Sequence, residues 1–301
     1  MTNVSIYKDI AARTGGDIYI GIVGPVRTGK STFIKQFMDK LVLPNISGDY
    51  QKERANDELP QSSSGRTIMT TEPKFIPEKG VQIKVDDSSA MNVRLIDCVG
   101  YIVPSALGYI EGDQPRMVMT PWFEEPIPFN MAAEIGTRKV INEHSTIGLV
   151  ITTDGSISDI PRSEYEEAEE RVIDELKAIN KPFIILLNCM YPESPEAQEL
   201  AQRLTEKYGI PVQPVNCLEL NEEDIKQILS RILFEFPIKE ICINFPRWIN
   251  SLPLDHWLRA ELTDTIKKSA ANVRHIRDIR CFETAFANSQ NADGAAVNGI
   301  D

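Results

Sequence analysis

The stretch "DIYIGIVGPVRTGKSTFIKQFMDKLVL", residues 17–43, decides how the rest of the chain is read. It opens with a short apolar run. The turn that follows, "GPVRTGKS" (24–31), satisfies G-x-x-x-x-G-K-[ST], and Phe33, Phe37, Met38 and Leu41 then recur at helical spacing. Strand, glycine-rich turn and amphipathic helix in direct succession build a cradle for phosphate. Glycines let the chain curl without Cβ clashes, so main-chain amides converge on an anion, and the helix adds its positive N-terminal end. Gly24, Pro25, Val26, Arg27, Thr28, Gly29, Lys30, Ser31 and Thr32 are therefore the nucleotide-binding candidates. Lys30 supplies a point charge to the β- and γ-phosphates, and the Ser31 hydroxyl is a ligand for Mg²⁺.

Outward from that loop, "RLIDCVG" (94–100) closes a strand with an acidic residue and repeats the D-x-x-G of a GTPase second switch. Asp97 suits a water-mediated Mg²⁺ contact, and the Gly100 amide suits the γ-phosphate. "SGRTIMTTEP" (64–73) lies in the long polar segment 44–80, where such enzymes keep a threonine that binds Mg²⁺ and senses the γ-phosphate. Thr67, Thr70 and Thr71 compete for that role; the Thr70–Thr71 pair is preferred, with Thr71 as the metal ligand. The catalytic set is thus Lys30, Asp97, Thr70 and Thr71. Tyr101 follows Gly100 where a Ras-type enzyme offers a glutamine to orient water, so turnover is expected to be slow and to rest on electrostatic clamping of the phosphates. Arg27 is a further candidate for charge stabilisation.

The strand "PFIILLN" ends at Asn188, a candidate nucleotide contact, but Cys189, Met190 and Tyr191 follow it instead of Lys-X-Asp. The carboxylate that would accept from guanine's N1–H and amine is missing, and Glu193 reaches the base only if the turn folds back. Losing such a buried contact removes most discrimination, so adenine or weak selectivity is expected, with Met190 or Tyr191 packing on the purine.

Strands alternate with helices from 131 to 235, which predicts a mostly parallel α/β sheet covered on both faces. "VQIKVD" and "NVRLID" flank a tight turn and must be antiparallel. One antiparallel strand beside an otherwise parallel six-stranded sheet is the Ras-like P-loop NTPase arrangement. Residues 1–236 form that domain, with a capping box of Ser163 and Glu166 opening one of its helices. Residues 237–301 start a mainly helical region with an apolar stripe from Trp257 to Ile279 and a disordered end.

The 301 residues carry a net charge of −12, placed wholly before residue 237, which argues against nucleic acid and against membrane contact through bulk positive charge. Five scattered cysteines (Cys98, Cys189, Cys217, Cys242, Cys281) without a C-x-x-C pair fit a reducing cytoplasm, and the N-terminus lacks an apolar signal core.

Five long runs carry a resemblance: 9–38, "RANDELPQS" (54–62), "TTEPKFIPE" (70–78), "DCVGYIVPSALGY" (97–109) and "PLDHWLRAEL" (253–262). Together they resemble the stage IV sporulation protein A family, spore coat morphogenetic ATPases of endospore-forming bacteria. The resemblance implies a GTPase-type fold that uses ATP and Mg²⁺. It assigns Lys30 and Ser31 to the Walker A role, Asp97 to Walker B, and Thr70 and Thr71 to sensing nucleotide state. It further implies ATP-driven self-assembly into a static basement layer of the spore coat. That layer lies peripherally on the outer forespore membrane, in the mother-cell cytoplasm. A small amphipathic membrane-anchoring peptide and other coat proteins are the implied partners. The family continues beyond residue 301 into a region used for anchoring and assembly, whereas every nucleotide motif lies before residue 240. Two other functions stay open on the residues alone: a regulatory GTPase switch, and a nucleotide-binding scaffold without hydrolysis.

Overall fold

The computed structural model describes residues 17–279 except 47, 61–72, 87–88, 112–113, 239, 242, 244, 246, 254 and 272, with backbone alone for 84–86, 89–91 and 250. Thr67, Thr70, Thr71, Cys242, Cys281 and the final stretch lie outside the described residues.

Strand β1 (Asp17–Val23) leads through the glycine loop into helix α1 (Lys30–Phe37), which continues in a wider turn to Val42. Helix α2 (Asp49–Asp57) comes next, then β2 (Lys74–Asp86) and β3 (Ser89–Asp97). Two small hairpins follow: β4 (Ile110–Glu111) with β5 (Gln114–Pro115), and β6 (Met117–Thr120) with β7 (Phe123–Pro128). The remainder alternates: α3 (Phe129–Lys139), β8 (Ile147–Thr153), α4 (Glu166–Ala178), β9 (Phe183–Asn188), α5 (Pro195–Tyr208), β10 (Val212–Val215) and α6 (Glu222–Phe234).

The sheet order is β10-β9-β8-β1-β3-β2. Every neighbouring pair is parallel except β2 with β3. That is the Ras-like order expected from the pattern, and it puts β1 at the centre. Every residue of β8 and β9 is buried, as required of parallel strands covered on both faces. Helical residues Phe129 and Ala133 of α3 and Val172 and Leu176 of α4 share one core with Val23, Ile96, Val150 and Ile185 from the strands.

Local expectations fail in instructive places. The polar segment 44–80 is not one loop: α2 lies within it, and β2 starts at Lys74, well before Val81. The proline-rich stretch 101–130 carries the two hairpins. The capping box at Ser163 is absent; Arg162–Glu164 form a single 3₁₀ turn, and α4 starts after Tyr165 without a side-chain cap. Glu164 is drawn elsewhere, accepting from the N–H and hydroxyl of Ser105, each at 2.7 Å. By contrast α5 keeps a true cap, Ser194 Oγ accepting from the Ala197 N–H at 3.2 Å, a contact worth about 1 kcal/mol.

The described chain divides into two compact units at Ile232/Leu233. In the second, Pro237 bridges to His275, the Ile276 N–H donates to Phe236 O, and Arg277 pairs with the buried Glu235 at 3.0 Å. The apolar stripe from Trp257 to Ile279 is not carried by one helix. After the short helix α7 (Arg247–Asn250), α8 (Trp257–Ala270) ends before Val273, and Ile276–Ile279 form a separate 3₁₀ turn.

Candidate nucleotide site

Three segments converge at the carboxyl ends of the parallel strands: the loop after β1, the turn after β3, and the end of β9. This edge is where open α/β sheets place ligands. The loop keeps its curl through left-handed residues, Gly24 at φ +139°, Arg27 at +65° and Gly29 at +94°. Space as well as torsion demands glycine. A Cβ on Gly24 would lie 2.3 Å from Ile151 O, and one on Gly29 would lie 2.2 Å from Asn188 Nδ2.

Asn188 explains that second contact. Its amide donates to Thr28 O at 3.0 Å and its oxygen accepts from the Cys217 N–H at 3.0 Å, so it braces the phosphate loop against the turn after β10. Both ends of its side chain are engaged within the protein. The Thr28 hydroxyl donates to Pro25 O at 3.0 Å, and the Val26 N–H donates to Tyr101 O at 2.9 Å. Pro25, Val26 and Thr28 therefore set the loop's shape; Pro25 has no N–H, and that of Val26 is taken. The donors for an anion come from further along, where α1 starts at Gly29 with no side-chain cap over its first turn. Lys30, Ser31 and Thr32 occupy that turn. An uncapped helix start beside a left-handed nest is the geometry that fits a phosphate.

Lys30 is only 5% exposed. Its Nζ folds back to donate to Pro25 O at 2.5 Å and Gly24 O at 3.4 Å. Burial lowers its pKa, opposed by the fields of Cys98 and Asp97. Asp97, 1% exposed at the end of β3, has its carboxyl raised to about 6 by burial; Lys30, the Cys98 N–H, Lys74 and the Ser31 hydroxyl all oppose that rise. The Ser31 hydroxyl and the Lys30 ammonium are thus neighbours of the Asp97 carboxyl. Asp97 Oδ1 is nevertheless buried without a hydrogen-bond partner among the described residues. An orphaned carboxylate oxygen inside a protein costs several kcal/mol unless something cationic completes it. A hydroxyl and an orphaned carboxylate oxygen are hard-oxygen donors of the kind that fit Mg²⁺.

Gly100 (φ +91°) presses on the same lysine. A Cβ there would lie 2.2 Å from Gly24 O and 2.6 Å from Lys30 Nζ. Its N–H donates to Thr137 Oγ1 of α3 at 3.2 Å, an acceptor that sequence reasoning missed because nothing local marks a threonine in mid-helix. Tyr101 is buried, its hydroxyl donating to Glu175 Oε2 at 2.6 Å while the Arg171 guanidinium sits 4.3 Å from its ring centroid. The position expected to lack a water-orienting group is therefore a structural tyrosine. Arg27 is half-buried, its pKa lowered by burial against the opposing influence of Tyr165.

At the base end, the Met190 N–H donates to Ser156 Oγ at 2.9 Å, and Asn216 Nδ2 donates to Met190 O at 3.3 Å. The loops after β8, β9 and β10 are thereby laced together. Asp154, a carboxylate in this cluster overlooked in the sequence, already accepts at Oδ1 from the Ser156 N–H and hydroxyl. Met190 and Tyr191 stand exposed, as does Glu193. No group of three or more His, Cys, Asp or Glu side chains able to hold a metal occurs among the described residues, and none of their helices is long and apolar enough to cross a membrane.

Residues 1–237 match the family model described as stage IV sporulation protein A, ATPase domain, and residues 238–301 match the middle domain of the same protein. Stage IV sporulation protein A of Bacillus anthracis is 53% identical over the whole chain, and that of Bacillus subtilis (strain 168) 52%. The chain spans 61% of the length of each. Among solved structures, the FeoB G-domain from Methanococcus jannaschii aligns with 72% of this chain and 98% of its own, at 12% identity and a TM-score of 0.36. Similarity at that level carries no weight beside the strand order itself.

Proposed function

This chain belongs to the stage IV sporulation protein A family, and from that premise we propose that it is a Mg²⁺-dependent ATPase with slow turnover. The observation that carries the reading is Asp97: a buried carboxylate, one oxygen orphaned, beside the P-loop lysine and near the P-loop serine. Lys30, freed from its own loop carbonyls, neutralises the β- and γ-phosphates, and the first-turn amides of α1 hold their oxygens. Ser31 and Asp97 would hold Mg²⁺, which supplies charge neutralisation to the triphosphate when bound. Thr70 and Thr71 are proposed to sense nucleotide state, with Thr71 also toward the metal. With Tyr101 committed to Glu175, no side chain at that position orients water, which supports slow hydrolysis. Adenine is preferred, or tolerated, because Cys189, Met190 and Tyr191 follow Asn188 where a guanine reader would carry its carboxylate.

Hydrolysis is further proposed to drive self-assembly into the spore coat basement on the outer forespore membrane, in the mother-cell cytoplasm. The partners would be other copies of the chain, an amphipathic membrane-anchoring peptide and other coat proteins; family membership supports this part. The test is phosphate release from Mg-ATP over long incubation. Release above a Lys30→Ala control and abolished by EDTA is expected. Release equal to that control would leave a nucleotide-binding scaffold instead, and hydrolysis of GTP far ahead of ATP would leave a GTPase switch.

A further inference from the structure

The Gly100 amide, which the D-x-x-G spacing assigns to a γ-phosphate, already has an acceptor. Thr137, fully buried on α3, receives that N–H on Oγ1, and its own hydroxyl points to Cys98 Sγ at 3.8 Å. Cys98 Sγ in turn donates to Ile22 O of β1 at 3.3 Å. A short relay thus runs from the central strand through Cys98 and Thr137 to Gly100, and Gly100 lies against Lys30 Nζ. Lys30 shows the same habit, with its ammonium satisfied by Pro25 O and Gly24 O. Both groups meant for the triphosphate are parked on internal acceptors.

A second observation makes α3 more than a bystander. The residue before Thr137, Gly136, lies at the start of β2: a Cβ on it would sit 3.4 Å from Pro73 Cδ and 3.4 Å from the Trp122 ring. One turn of α3 therefore touches both the Gly100 turn and the chain entering β2.

We propose that Thr137 is a positioning residue that competes with the γ-phosphate for the Gly100 N–H, and so sets how strongly this site distinguishes triphosphate from diphosphate. The inference rests on the nucleotide-site reading above. A diphosphate leaves the Gly100–Thr137 bond intact. A triphosphate takes the N–H, releases the Thr137 hydroxyl and unloads the turn of α3 that seats Pro73. A ligand shifts such an equilibrium only through the bond it makes in one state and lacks in the other, and here that bond is a single identified N–H.

The test compares affinities for Mg-ADP and for a Mg-bound non-hydrolysable ATP analogue in wild type, Thr137→Val and Thr137→Ser. Valine keeps the shape and removes the acceptor, leaving a buried N–H unpaired until a γ-phosphate arrives. The triphosphate-to-diphosphate preference should rise about tenfold in Thr137→Val and stay within about twofold of wild type in Thr137→Ser. A merely structural role would lower stability and leave that ratio unchanged, and an unchanged ratio in Thr137→Val overturns the proposal. Should that variant fail to fold, ¹⁵N-glycine labelling of the wild type decides. The Gly100 amide must shift between the diphosphate and triphosphate complexes; if it does not, the proposal is wrong. If wild type binds neither nucleotide, the fault lies in the site reading itself.

Discussion

The phosphate end and the base end of the candidate site are built to different standards. At the phosphate end, Lys30, Asp97, Gly100 and Asn188 are buried or locked, and a Cβ on any of three glycines, Gly24, Gly29 or Gly100, would lie 2.2 to 2.3 Å from a backbone or side-chain atom. At the base end, Met190 and Tyr191 project to solvent, tied down through backbone groups: both those of Met190, and Tyr191 O, which accepts from the Ser194 N–H. Charge that must be desolvated needs fixed partners, because an unpaired buried ion is costly. A purine face needs only an apolar surface. The difference teaches that affinity here should come from the triphosphate, with the base contributing little selectivity.

The largest effect should come from Lys30→Ala. Removing the only ammonium placed in the loop forfeits charge-assisted contacts to two phosphates, so Mg-ATP affinity should fall about a hundredfold or more by calorimetry. Retained affinity would mean that the two ends have been wrongly ranked.

Asp97→Asn should weaken Mg²⁺-dependent binding about tenfold while raising the melting temperature of the nucleotide-free protein. The sign follows from burial. A carboxyl with a folded pKa of about 6 against an ordinary 3.8 is destabilising when charged, by roughly 3 kcal/mol at neutral pH. The folded state takes up a proton between those two values. Nucleotide-free stability should therefore rise as pH falls from 6 towards 4, while Mg-ATP binding fades over the same interval. A melting profile without that rise would show that Asp97 is already compensated.

Tyr101→Phe should cost about 1 kcal/mol of stability through the lost bond to Glu175, and leave phosphate release within about twofold of wild type. A large loss of turnover would give Tyr101 a role in the chemistry. Met190→Ala should be the mildest change, about threefold or less in ATP affinity, since an exposed side chain offers only part of its surface to a purine.

The fold was legible where periodicity and burial agree. β8 and β9 read as uninterrupted apolar runs because both faces are covered, and the β2–β3 pair followed from a turn too short for a parallel crossover. What hid was set by distant partners. Helix α2 is polar almost all round, with Ala55 its one buried residue, so no apolar stripe announced it. The Ser163–Glu166 box lost to a 3₁₀ turn, and Thr137 carried no local mark at all. At the site, Lys30, Ser31, Asp97 and Gly100 were legible as spacing and are brought together in space. The bracing role of Asn188 and the tyrosine lock at 101 depend on Cys217 and Glu175, which adjacency in sequence does not reveal.

Competition against a fluorescent ATP analogue bound to the wild-type protein tests the central claim most directly. The competitors are Mg-ATP, Mg-GTP and Mg-tripolyphosphate, which has no base at all. If the phosphates dominate, tripolyphosphate displaces the probe, and ATP competes at least as well as GTP. Displacement by GTP alone, with tripolyphosphate inert, would contradict it.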